Sequence, residues 1–296
     1  GLGDVYKRQS VSGSARAVYV DAEGNSEGHV GGTISFAMST TTDGGVTIST
    51  SGQITNDPDA AGGAGTASGM TALTFAFANG SITVADDVAV PAGTGLVGEL
   101  VGDADSNQVT HTNDVTIATD DGSGISASTS IGDMTVKGVY FYDGGHVQNI
   151  DGGTTTGAGA SLTIPLGDMS LVVSSSSVDA NGTEDNSAGG ALTMTAGNGT
   201  LSLGIETTNG DTAANEGEAY SVSYSTTLGG ASVAVGYTGF DANSNTSQKT
   251  DVTVSQSLGG GASIFAEYSN LSGAGAAAPT NTTGEGVVAV GTKVSF

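Results

Sequence analysis

The chain has 296 residues, with 50 glycines, no cysteine and no tryptophan, and 12% of its residues are charged, against about 25% for a usual soluble domain. Six basic residues against 30 acidic ones give a formal charge of −24. That balance excludes a nucleic-acid binder, which needs clustered cations to neutralise phosphates, and here the cations are isolated. Regularly spaced apolar residues argue against disorder. No apolar run reaches the ~18 residues of a transmembrane helix, but a spanning β-strand needs only ~9–11 residues of alternating polarity.

The first nine residues, GLGDVYKRQ, differ in composition from all that follows and contain two of the six basic residues, Lys7 and Arg8. They look like a translated sequencing-library adapter, so residues 1–9 are expected to be a foreign scar and 10–296 a single domain. Without them the balance is 4 − 29 = −25. A signal peptide is expected upstream.

From Ser10 onward the pattern has period two, and helical periodicity is hard to find. Ile34, Phe36 and Met38 oppose Ser35, Ala37 and Ser39, and Leu73, Phe75 and Phe77 oppose Thr74, Ala76 and Ala78. Leu201, Leu203 and Ile205 oppose Ser202, Gly204 and Glu206, and Tyr220, Val222, Tyr224, Thr226 and Leu228 oppose four hydroxyl residues. Sixteen strands are expected near 10–21, 28–40, 45–55, 69–78, 80–86, 123–131, 134–142, 157–167, 169–179, 188–197, 200–208, 217–228, 231–240, 248–258, 262–271 and 284–296. Seven tight turns of hairpin chemistry, such as Asn79-Gly80, Gly167-Asp168 and Gly229-Gly230, alternate with eight longer acidic loops at about 22–27, 56–68, 87–122, 143–156, 180–187, 209–216, 241–247 and 272–283. Segregation of short turns from long loops, with an even strand number, is the signature of a transmembrane antiparallel β-barrel, its short turns periplasmic and its long loops extracellular. A soluble sandwich has no reason for it.

In the last segment, Val288, Val290, Thr292, Val294 and Phe296 share one face, opposite Lys293 and Ser295. An amphipathic strand that ends on an aromatic residue resembles the signal read by outer-membrane insertion machinery; Val290, Thr292, Val294 and Phe296 are the residues expected to carry it.

These segments resemble a known family. SGSARAVYV (12–20), SFAMSTTTDGGVTISTSGQI (35–54) and SLGGGASIFAEYSN (257–270) are similar to the first strand, the second and third strands and the last hairpins of general porins of Gram-negative bacteria, particularly their alphaproteobacterial branch. The resemblance implies a sixteen-stranded, multi-pass barrel integral to the outer membrane. It implies a homotrimer in contact with lipid and lipopolysaccharide, through which small hydrophilic solutes and ions diffuse passively. It also implies that the third loop folds into the lumen.

That third loop, 87–122, is by far the longest, and structureless loops beyond about 12–15 residues are usually functional or disordered. Asp86, Asp87, Glu99, Asp103 and Asp105, with Asp114, lie at or near it, with no Lys or Arg, and are the expected acidic side of a pore constriction. LVGELVG (96–102) is expected to anchor it on the wall. Strand parity puts Arg16, Lys137 and Lys293 on the polar, lumen-facing side, since a Lys or Arg at the lipid midplane costs roughly 2–4 kcal/mol. Lys249, at a loop edge, reads as ordinary surface. Arg16 matches the family's basic position, but no arginine cluster accompanies it. A net negative lumen with weak cation selectivity is the expectation.

No cofactor is expected. Asp103, Asp105 and Asn107 have the i, i+2, i+4 spacing of a calcium loop fragment, but no complete motif is present, so solvated loop acid is the default and loop-bound Ca²⁺ the alternative. His29, His111 and His146 lie far apart, no nucleophile elbow occurs, and catalysis has no support in the sequence. The competing readings are a secreted, acidic, β-rich surface protein or adhesin without a channel, and a barrel with a plugged lumen.

Overall fold

The computed structural model describes residues 7–22, 25–56, 66–68, 70, 72–88, 122–143, 155–180, 182–210, 216–242, 245–273 and 286–296. Within them the regular elements are all strands: β1 (Lys7–Ala22), β2 (Asn25–Thr41), β3 (Thr47–Asn56), β4 (Thr66–Ser68), β5 (Ala72–Phe77), β6 (Gly80–Val88), β7 (Gly122–Ile131), β8 (Met134–Asp143), β9 (Thr155–Leu166), β10 (Met169–Ala180), β11 (Thr183–Ala196), β12 (Gly199–Gly210), β13 (Gly217–Leu228), β14 (Ala231–Ala242), β15 (Asn245–Gly259), β16 (Ala262–Gly273) and β17 (Gly286–Ser295). The short β4 and β5 both pair with β3, at its two ends, and make one interrupted stave. Seventeen segments therefore build sixteen staves, each antiparallel to its neighbours in sequence.

The sheet closes on itself. β17 pairs with β1 in register from Ser14↔Ser295 to Ala22↔Val287. The ladder is extended by mutual bonds between Gly13 and Phe296, N–H to O at 2.8 and 3.0 Å. Closure leaves no full-length edge strand, which is how an all-β chain satisfies its backbone in lipid. β1 continues past Phe296 as an overhang, Lys7–Ser12, paired with β2 alone among the described residues. Lys7–Gln9, which belong to the segment read as foreign, sit in that overhang opposite Met38–Thr40; backbone pairing accepts almost any side chain at such a rim.

Closure gives the period-two pattern its meaning: one parity faces outward and the other inward. The outward set is apolar and exposed, as in Ile34, Leu73, Val84, Ile125, Val173, Ile205 and Val235. Outward tyrosines Tyr19, Tyr140, Tyr142, Tyr220 and Tyr268 sit toward the loop end, where a ring with a polar tip suits a membrane interface. The turn end carries Met134, Leu166, Met169, Leu228, Leu258 and Phe296 instead.

The turns follow the sequence pattern, with positive φ at Gly132 (61°), Gly167 (69°) and Gly229 (60°). The loop end differs from the expectation. The connections expected as loops at 22–27, 180–187 and 241–247 are mostly ladder, with pairing up to Ala22↔Asn25, Ala180↔Thr183 and Ala242↔Asn245. Polar side chains do not interrupt backbone pairing, so these hairpins keep their ladder beyond the apolar band. Strands of 15–17 residues, as β1, β2 and β15 are, exceed the ~9–11 needed to cross a bilayer.

Candidate pore lining

The inward face is built mainly from small hydroxyl residues. On the turn-side half, Thr195, Thr200, Ser225, Thr227, Ser232 and Ser255 line an uncharged recess of about 570 Å³ on β11–β15. Across the barrel, Ser39, Ser49, Ser51 and Thr74 line a comparable recess with Arg8 and Ser10. Hydroxyls donate and accept, so such a wall exchanges water for a passing solute at little cost.

Higher on the wall the inward residues are buried, and here the acids lie. Asp185, Glu206, Asp251 and Glu267 are buried on β11, β12, β15 and β16. The Ser187 hydroxyl donates to Glu206 Oε1 at 2.9 Å, and the Ser269 hydroxyl donates to Asp251 Oδ1 at 2.6 Å. Lys249 Nζ stands 3.3 Å from the same Asp251 oxygen. The reading of Lys249 as ordinary surface is therefore corrected: only 7% of the residue is exposed, on the inward face of β15, because the ladder runs on through the segment expected as a loop.

Two apolar clusters interrupt this polar wall from opposite sides. Phe141 on β8 packs with Ala85 and Val178, and Phe265 on β16 packs with Val18 and Ala289. Each ring roofs the glycine directly across from it, Gly157 for Phe141 and Gly291 for Phe265, where a Cβ would collide with ring carbons.

Arg16, Lys137 and Lys293 lie on the inward parity. Arg16 and Lys293 are direct cross-strand partners at the β1–β17 seam. Lys137 stands on the far wall, with Ser128 and Ser161 as its partners. Val290, Val294 and Phe296 are exposed on the outer face, with Thr292.

Solved structures share this architecture. An anion-selective porin from Comamonas acidovorans aligns over 98% of this chain and 100% of its own, with a TM-score of 0.73 and 14% identity. OmpT of Vibrio cholerae, in a trimer form, aligns over 98% and 99%, with a TM-score of 0.73 and 11% identity. A mutant of the Rh. blastica porin aligns over 98% and 100%, with a TM-score of 0.67 and 15% identity.

The fold is that of an outer-membrane porin.

No family description and no curated protein sequence matches the chain. The fold places Arg16, Lys137 and Lys293 toward the turn side of the lumen and the buried acids Asp185, Glu206, Asp251 and Glu267, with Lys249, above them. Of the residues expected at a constriction, Asp86 and Asp87 belong to the end of β6, beside an irregularity in its pairing between Ala85 and Val88, and their side chains are outside the described set. Glu99, Asp103, Asp105 and the calcium candidates around Asn107 lie outside the described residues, as does the rest of 89–121. Among the described residues no three His, Asp or Glu side chains converge as a metal site. The sequence reading missed the buried acids Asp185, Asp251 and Glu267. For Asp251 and Glu267 the signal was available, since each continues the inward parity of an expected strand; Asp185 fell in a segment expected as a loop.

Proposed function

We propose that this chain forms a water-filled channel in a bacterial outer membrane, through which small hydrophilic solutes and ions diffuse passively. The observation that carries the reading is the closed sixteen-stave sheet, apolar outside and hydroxyl-lined within. A secreted adhesin would not expose Ile34, Leu73, Ile125 and Ile205 in one continuous belt, because an apolar surface of that extent requires lipid. Purified protein in a planar bilayer is expected to give discrete conductance steps, and a folded barrel that gives none removes the reading.

The proposal includes the segment 87–122 as a pore constriction, supported by its length and acidity. A homotrimer is likewise proposed. Small outward residues Ala15, Ala17, Gly32 and Gly52, set among larger ones such as Ile34, Phe36 and Ile54, give β1–β3 a surface into which a neighbouring copy can pack, and light scattering in detergent tests the stoichiometry. Weak cation preference rests on the chain's −24 charge alone. The described wall does not add to it, since Arg16, Lys137, Lys249 and Lys293 match Asp185, Glu206, Asp251 and Glu267 in number, and Arg8, in the segment read as foreign, is a further inward cation. Reversal potential in a KCl gradient decides the sign.

A further inference from the structure

From Ser10 onward the described inner wall balances its charges in number but not in position, and Arg8 adds one more cation at the turn-side rim. Lys137 is three residues above the turn-side end of its strand, Met134, and Lys293 three before Phe296, with Arg16 paired to it. The acids stand farther from the turns: Glu267 five residues beyond Ala262, Glu206 seven beyond Gly199, Asp251 eight before Gly259 and Asp185 eleven before Ala196. Lys249, two residues beyond Asp251, offsets one of them. Resting on the pore reading above, we infer that this axial step, cationic toward the turns and acidic toward the loops, makes the channel rectify.

The argument is one of ion supply. The acidic half is enriched in mobile cations and the basic half in mobile anions. A voltage positive on the loop side drives each ion in through the half that concentrates it, so carriers accumulate in the lumen and current rises. The opposite voltage draws both ions out through those same halves, and the lumen is depleted. Asp43, Asp133 and Asp168 also lie near the turn side, but on exposed turns in bulk water, where salt screens them. The same step orients a solute that bears both charges, with its carboxylate toward the turns.

Single-channel current–voltage curves test this. The chain has no cysteine, so Asp168→Cys on an exposed turn takes a unique biotin, and streptavidin added to one chamber assigns the sidedness. At 0.1 M KCl, where the Debye length is about 10 Å, the current is expected to be larger with the loop side positive, and the asymmetry to fade at 1 M, where that length is about 3 Å. The Lys137→Glu/Lys293→Glu variant is expected to keep its conductance steps and lose the asymmetry. Glu218→Gln, which removes an exposed charge from the outer face of β13, is expected to keep it. Linear curves at 0.1 M from a channel that still shows steps overturn the inference and leave the pore standing. So does an asymmetry of opposite sign, or one unchanged in the double variant. No steps at all overturn the pore reading itself.

Discussion

Replacing Lys249 with Met would strip Asp251 of the cation 3.3 Å away while the carboxylate stays buried. Breaking a buried pair from one side costs about 3–5 kcal/mol, mostly the penalty of the charge left behind. Lys249→Met is therefore expected to lower stability by that order in urea unfolding from lipid vesicles, and adding Asp251→Asn should recover most of the loss. The ring-over-glycine contacts are a second residue-scale device. At Gly157 a Val side chain has nowhere to go but into the Phe141 ring, and overpacking of that kind costs roughly 1–3 kcal/mol. A lower temperature for the shift from folded to unfolded migration on a detergent gel is the expected sign.

At the scale of a strand, depth along the barrel decides what a substitution costs. Leu203 faces outward in mid-strand on β12, and Asn209 faces outward near its loop end. Leu203→Arg is expected to cost roughly 2–4 kcal/mol and Asn209→Arg roughly 0–1, measured as folding equilibria in vesicles. The contrast also explains which stretches of the fold were legible in the sequence. Alternation such as Leu201-Ser202-Leu203-Gly204-Ile205 marks a strand because lipid on one side and water on the other demand it. Segments such as 183–187, Thr-Glu-Asp-Asn-Ser, carry no such mark. Both their faces are polar, and only the backbone ladder, invisible in side-chain pattern, keeps them in the sheet. Three hairpins therefore read as loops, and with them went the true position of Lys249. Glycine-rich turns were legible for a different reason: a two-residue reversal with positive φ admits few residue types.

For the whole molecule, the stave number and the inside-outside division follow from alternation summed over the chain, and closure from the polar lining that it leaves within. The arrangement of charge around the lumen does not follow, because neighbours such as Arg16 and Lys293 are 277 residues apart in sequence and meet only at the seam. Their adjacency predicts a local effect. Like charges directly opposite on paired strands disfavour the pairing by a few tenths of a kcal/mol up to about 1, so Lys293→Glu should tighten the seam even as it changes the current. Slower hydrogen exchange at Ala17 and Thr292 is the expected readout.

The bonded pair Gly13 and Phe296 has one more consequence: the ring of staves has no natural first member. Joining the chain across that pair with a short linker, and opening it between Gly229 and Gly230, would give a circular permutant with the same neighbours throughout. Such a chain would refold in detergent to the same barrel but would end on Gly229 instead of Phe296. It would thereby separate the closing of the wall from the insertion signal proposed for Val290, Thr292, Val294 and Phe296, and failure to insert in cells despite refolding in detergent is the outcome expected of such a signal.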